Sequence, residues 1–162
     1  MHAAVRGVIQ VADDSPGHAG RSTARSPIGR APHRGHVTIL DTEASTEHLL
    51  VSTAKHAHAM FAVVEPYFTS LETGRRINLL AKDLGIARVA LIVNKVRGPE
   101  DLDIANAFAD EEGLEIVGTV PYGDCFHEAE RAERAPIDFA PDAEAMTAIA
   151  RLAPRLLANG AA

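Results

Sequence analysis

Tryptophan is absent from the 162 residues, aromatic side chains make up only 4%, and there is a single cysteine, Cys125. With so few rings, a core must be assembled from Ala, Val, Ile and Leu, which suits helices packed on a buried sheet. One cysteine forms no internal disulfide and no all-cysteine metal site within one chain, as expected for a reducing cytoplasm. No apolar run reaches the length of a membrane span, and the N-terminus lacks the charged-then-apolar order of a signal peptide, so a cytoplasmic protein is expected. Lysine is also missing where nucleotide binding would need it. The first is Lys55, and no Gly-x-x-x-x-Gly-Lys run occurs. A phosphate loop of that type needs glycines so that backbone N–H groups can wrap phosphates, and a lysine to neutralise them. These residues alone supply neither.

What is present is enough for one domain, with 46% hydrophobic residues and a formal net charge of −6. The charge is unevenly spread, since residues 1–36 carry five Arg and two Asp and the acidic excess lies beyond them. An acidic domain argues against nucleic acid, whose phosphates reward clustered Lys and Arg. Residues 12–36 interleave Gly, Pro, Ser, Arg and His without apolar periodicity, so residues 1–35 read as a disordered or non-native tail. Within it, Val5 to Val11 is either a stray strand or the scar of a mis-set translation start.

From His36 to about residue 160 the pattern is α/β. Short β-branched runs recur at HVTILD, MFAVVE, RVALIVN and EIVGTVP, as in buried parallel strands. Between them lie segments with helical punctuation. One runs from Ser45 to about His56. A second opens on a capping box, Thr69-Ser70-Leu71-Glu72, places Leu71, Ile77, Leu80, Ala81 and Leu84 on one face, and stops at Gly85. A third starts at Pro99 and ends at Gly113. A last helix, about Ala143 to Leu157, places Met146, Ile149, Leu152, Ala153 and Leu156 on a face that covers the sheet. Right-handed βαβ units then give a parallel sheet with helices on both faces, and ligands bind beyond the carboxyl ends of its strands.

Polar residues stand at all four of those ends: Asp41-Thr42-Glu43, Glu65-Pro66, Asn94-Lys95 and Pro121-Tyr122-Gly123-Asp124. Asp41 is placed either to hold the water shell of a phosphate-bound Mg²⁺ or to cap the following helix. Glu43 and Glu47, with His48 beside them, favour the positive end of that helix or position a water. Asn94 either pairs with a base edge or eases the turn from strand to loop. If it reads a base, guanine is disfavoured, because the fourth residue of Asn-Lys-x-x is Arg97, which has no acceptor. His56-x-His58 and Cys125-x-His127 are thin metal candidates, since residues two apart on a helix face different ways.

The series Asp41-Thr42-Glu43-Ala44-Ser45-Thr46-Glu47-His48-Leu49, then Val64-Glu65-Pro66 with Ser70-Leu71-Glu72-Thr73-Gly74-Arg75-Arg76-Ile77, then Asn94-Lys95-Val96, resembles the CooC-type carbon monoxide dehydrogenase maturation ATPases. These are nickel-insertion members of the MinD/ParA class of deviant-Walker P-loop ATPases. The resemblance runs from about His36 to Leu157, the C-terminal half of a full-length member. It implies a partial P-loop NTPase fold without the N-terminal βα unit that bears the phosphate loop. Asp41 and Glu43 match catalytic positions, with Asp41 the Walker B-type carboxylate holding Mg²⁺ through water. Asn94 and Lys95 match the cofactor-binding segment that contacts adenine, and Pro121 and Tyr122 its border. ATP and Mg²⁺ are the implied cofactors.

Implied partners are a second copy dimerising around ATP, a P-loop-bearing partner chain, and a client resembling carbon monoxide dehydrogenase. The sequence departs from the pattern at Ser45, where Gly is usual, and at Gly123, where an acidic residue is common. The Cys-x-Cys pair of nickel-binding members is absent, which argues against nickel as a ligand. The expectation is therefore a truncated or split ATP-binding protein, weakly active or inactive alone. Two alternatives are a non-catalytic interaction module and a positioning ATPase of the MinD/ParA kind completed by another chain. Against the latter's membrane anchoring, the last helix has few basic residues.

Overall fold

A computed structural model describes residues 8–13, 37–42 and 57–158. Five strands form one sheet: β1 (Val8–Asp13), β2 (Val37–Thr42), β3 (Ala59–Val64), β4 (Arg88–Val96) and β5 (Glu115–Pro121), in the order β2-β1-β3-β4-β5. The helices are α1 (Phe68–Asp83), α2 (Pro99–Glu112), α3 (Cys125–Arg131), the single-turn α4 (Pro136–Phe139) and α5 (Glu144–Ala158). The helix expected over Ser45–His56 lies outside the described residues.

The four expected strands run in one direction, β3 to β5 pairing in parallel. The sheet also takes in a fifth strand, β1, which lies antiparallel between β2 and β3. Its Val-Ile-Gln-Val run is β-prone, but six residues without a flanking helix carry no period from which a sequence reading assigns a place. The sheet thus takes in Val8–Asp13, part of the stretch expected as tail, while residues 14–36 lie outside the described ones.

Helix ends follow local chemistry. Pro99 opens α2, whose N-cap is Gly98, and Gly113 closes it in the left-handed conformation (φ 65°) with Leu114 N–H donating to Ala109 O at 2.8 Å. Gly85 (φ 72°) ends α1 in the same way. The capping box is corrected: α1 starts at Phe68, its N-cap is Tyr67, and no side chain caps it. Ser70 Oγ is drawn instead to the end of β3, where it accepts the Glu65 N–H at 2.8 Å. Glu72 turns to Arg75 and Arg76.

Both sheet faces are covered. On one, Met60, Ala62, Val64, Leu91 and Val93 pack with Leu71, Ile77 and Ala81 of α1 and Ala105, Phe108 and Ala109 of α2. On the other, Phe61, Ala90, Ile92, Val117 and Val120 meet Ala145, Leu152 and Leu156 of α5. The expected α5 face is rotated, because Ile149 and Ala153 are exposed and Ala145 is buried. Gly118 explains the contact: a Cβ there would lie 2.2 Å from Leu152 Cδ2, so the helix sits directly on the β5 backbone. Arg155 completes the junction by donating to Val117 O at 3.1 Å. Between α1 and α2, Arg75 pairs with Glu72, Glu111 and Glu112, and the hydrogen bond that Arg75 donates to Glu111 leads these carboxylates in raising its pKa.

Candidate functional site

The carboxyl ends of β4 and β5 are brought together by an irregular ladder. Val93 pairs with Thr119 and Val96 with Pro121, so three steps along β4 match two along β5. The extra residue is a β-bulge, and bulges re-aim side chains next to sites. Asn94 and Lys95 occupy it, and Lys95 has φ 57°, a left-handed conformation uncommon outside glycine. The Lys95 N–H donates to Asn94 Oδ1 at 3.0 Å, and Lys95 Nζ reaches Glu65 Oε1 at the end of β3 at 2.7 Å. Beyond the bulge, Tyr122 N–H donates to Val96 O at 2.8 Å and keeps the two strands together past the end of β5.

A groove of about 520 Å³ opens there, lined by Val96, Arg97, Leu102, Pro121, Tyr122 and Glu144. Arg97 is fixed at its backbone, its N–H donating to Asp101 Oδ2 at 2.7 Å, and its guanidinium lies over the Tyr122 ring at 4.7 Å. The Tyr122 hydroxyl donates to Asp124 Oδ1 at 3.2 Å. A second groove of about 540 Å³ continues along the edge of β5, sharing Val96, Leu102, Pro121 and Glu144. The walls offer flat aromatic and guanidinium surface, and the neighbouring bulge carries a carboxamide. That is a setting for holding a planar heterocycle.

The expected site residues divide accordingly. Pro121 and Tyr122 line the groove, whereas Asn94 and Lys95 stand beside it at the bulge. Asp41 lies in β2, opposite Ile9, which in turn faces Phe61. That register places its backbone level with Phe61 of β3 and Ala90 of β4, three strand spacings or about 14 Å across the sheet from β4 and four residues short of Asn94 along it. Glu43, Glu47, His48 and His56 lie outside the described residues. Among the described residues no group of three His, Cys, Asp or Glu is arranged to hold a metal ion. Cys125 and Phe126 pack against the α5 side of the core, and His127 lines a shallow cleft with Asp124, Glu128 and Arg131. No described helix is long and apolar enough to cross a membrane.

Sequence reading missed three participants: the Glu65 carboxylate as partner of Lys95, Arg97 as the cover of Tyr122, and Ser70 as the anchor of Glu65. The first had a readable signal, since opposite charges stand at the ends of two strands expected to be neighbours.

No protein-family model matches the chain. It is 31% identical over 108 residues to the carbon monoxide dehydrogenase accessory protein CooC of Rhodospirillum rubrum, covering 67% of this chain and 40% of that protein. It is 43% identical over 89 residues to an uncharacterized ATP-binding protein of Methanocaldococcus jannaschii, covering 55% of this chain and 35% of that one. The chain thus spans about two fifths or less of the length of these relatives. Among solved structures it superposes on the MinD cell division protein of Aquifex aeolicus (TM-score 0.54, 22% identity, 65% of this chain and 46% of that one). It also superposes on a ParA family ATPase from Chlorobium tepidum (TM-score 0.58, 20% identity, 67% of this chain and 46% of that one).

Proposed function

From its homology to the CooC-type ATP-binding proteins and its MinD/ParA fold, we infer that this chain carries the base side of an ATP site whose phosphate side comes from residues outside these 162. The observation that carries the reading is the bulged end of β4 against β5, where a carboxamide stands beside a groove walled by Tyr122 and Arg97. The stacked Arg97–Tyr122 pair would pack against one face of an adenine, and Asn94 would take its edge, as amides pair with the N6/N7 side of that base. Pro121 borders the groove, and Lys95 belongs to the same segment.

Asp41 fits the other end of the ligand. Its backbone lies three strand spacings across the sheet from β4 and four residues short of Asn94 along it, roughly 20 Å in all, which sets Asp41 on the phosphate and Mg²⁺ side and away from the base. In this reading Asp41 holds the water shell of Mg²⁺ and Glu43 follows it in the catalytic segment. The chain on its own has no glycine-and-lysine cradle and hydrolyses ATP weakly or not at all. Its client is a metallocentre enzyme of the carbon monoxide dehydrogenase kind, and nickel is not bound by this chain, which lacks a Cys-x-Cys pair. Titration calorimetry with Mg-ATP, beside a phosphate-release assay, tests the reading. Binding no tighter than about millimolar with turnover at background is expected, and micromolar binding or sustained turnover contradicts it.

A partner is supported by one feature. Phe68, 79% exposed, stands with the half-exposed Tyr67 on the turn after β3, at the same end of the sheet as the groove. A second copy or a P-loop-bearing chain docking on that end would cover them. Sedimentation of the full chain with and without nucleotide measures this.

A further inference from the structure

We propose that Lys95 is a positioning residue, latched by Glu65 so that the Asn94 carboxamide is pre-set for its ligand. The proposal rests on the base-side reading above and goes beyond it, because Lys95 is assigned no ligand contact of its own.

The left-handed backbone comes first. For a residue with a Cβ this conformation costs roughly 1–2 kcal/mol, and lysine has no short polar side chain to offset it locally as Asn or Asp has. Such a residue persists where its surroundings over-determine it, and these outliers gather at ligand sites. At Lys95 the surroundings are on both sides. Its Nζ is held by Glu65 Oε1 at 2.7 Å, with the carboxylate 17% and the lysine side chain 43% exposed. Glu65 is itself anchored, since its N–H donates to the fully buried Ser70 Oγ and its C=O accepts the Tyr67 N–H at 2.8 Å. The latch therefore runs from the core face of α1, through the end of β3, to the bulge in β4.

Its consequence falls on Asn94. The left-handed turn brings the Lys95 N–H to Asn94 Oδ1, which occupies one lone pair and fixes which end of the amide is oxygen. The remaining Oδ1 lone pair and the Nδ2 hydrogens are left as an acceptor and a donor side by side. That pair complements the amino group and ring nitrogen on one edge of adenine, and mismatches a guanine edge, which offers two acceptors. Without the latch the amide rotates and swaps its ends.

The test uses ¹⁵N NMR on the full chain with adenosine as probe, comparing wild type with Lys95→Met, Glu65→Gln and Lys95→Arg. Lys95→Met and Glu65→Gln are expected to shift the Asn94 side-chain amide resonances and speed exchange of the Lys95 N–H. They are also expected to weaken adenosine binding roughly fivefold to tenfold, while Lys95→Arg restores wild-type values. Unchanged Asn94 resonances and adenosine affinity in both loss-of-charge variants overturn the proposal. If wild type itself binds no adenosine, the base-side reading fails, and the latch is judged by the Asn94 and Lys95 resonances: shifted and rescued by Lys95→Arg sustains it, unshifted overturns it. Glu65→Gln leaves the β4 backbone untouched, so it remains informative if Lys95→Met unfolds the chain.

Discussion

The strip formed by β4 and β5 and the strip formed by β2 and β1 belong to one sheet but are held in different ways. Leu91 and Val93 of β4 are fully buried, with helices packed on both faces, whereas Ile39 of β2 is 57% exposed. β4 and β5 are joined in parallel, while β2 is tied to the rest through a strand running the opposite way. The half that bears the proposed base side therefore brings its own core, and the half that bears Asp41 depends on a six-residue strand. The lesson is that one sheet can hold one strip between two helical layers and join another only through an antiparallel strand.

The largest expected effect comes from the core of the first strip. Leu91→Ala should cost about 3 kcal/mol, as buried leucine truncations do, and unfold the whole chain in urea. A loss under about 1 kcal/mol would mean that β4 is not the centre of stability. Gly118→Val forces Leu152 away from β5 and should cost about 1–3 kcal/mol by overpacking, also read in urea. A neutral result would show that α5 is not seated on that strand.

The second strip is probed at Gln10, which pairs with both Leu40 and Met60. A proline there removes a ladder donor from an inner strand, so amide exchange should rise across Val8–Asp13 and Val37–Thr42 while β3 to β5 stay protected. Equal loss of protection in both strips would break the distinction. Smaller still, Arg155→Ala removes the guanidinium held on Val117 O and should cost about 1 kcal/mol, measured by thermal unfolding. Lys95→Gly relieves the left-handed backbone as it loses the ion pair, so its net change should be within about 1 kcal/mol of zero.

The same contrast explains what was legible in the sequence. Strands β2 to β5 announce themselves as β-branched runs, and Pro99, Gly113 and Gly85 mark helix ends because their backbone chemistry acts locally. β1 is unreadable because nothing adjacent in sequence says which strands it lies between. The α5 face was misjudged for a related reason: Gly118, far off in sequence, decides which side of the helix comes closest to the sheet. Asn94, Pro121 and Tyr122 were visible as polar or ring-bearing strand ends. The left-handed Lys95 was not, because lysine carries no local preference for it and its partner stands 30 residues earlier.

The central claim, a preformed base side without a phosphate cradle, is tested most directly by titrating the ¹⁵N-labelled chain with adenosine and, separately, with Mg-ATP. The account predicts shifts centred on Asn94, Arg97 and Tyr122 for both ligands, with dissociation constants that agree within about threefold, since the phosphates find no donors. Mg-ATP binding a hundredfold or more tighter than adenosine, or shifts that bypass Asn94 and Tyr122, would contradict it.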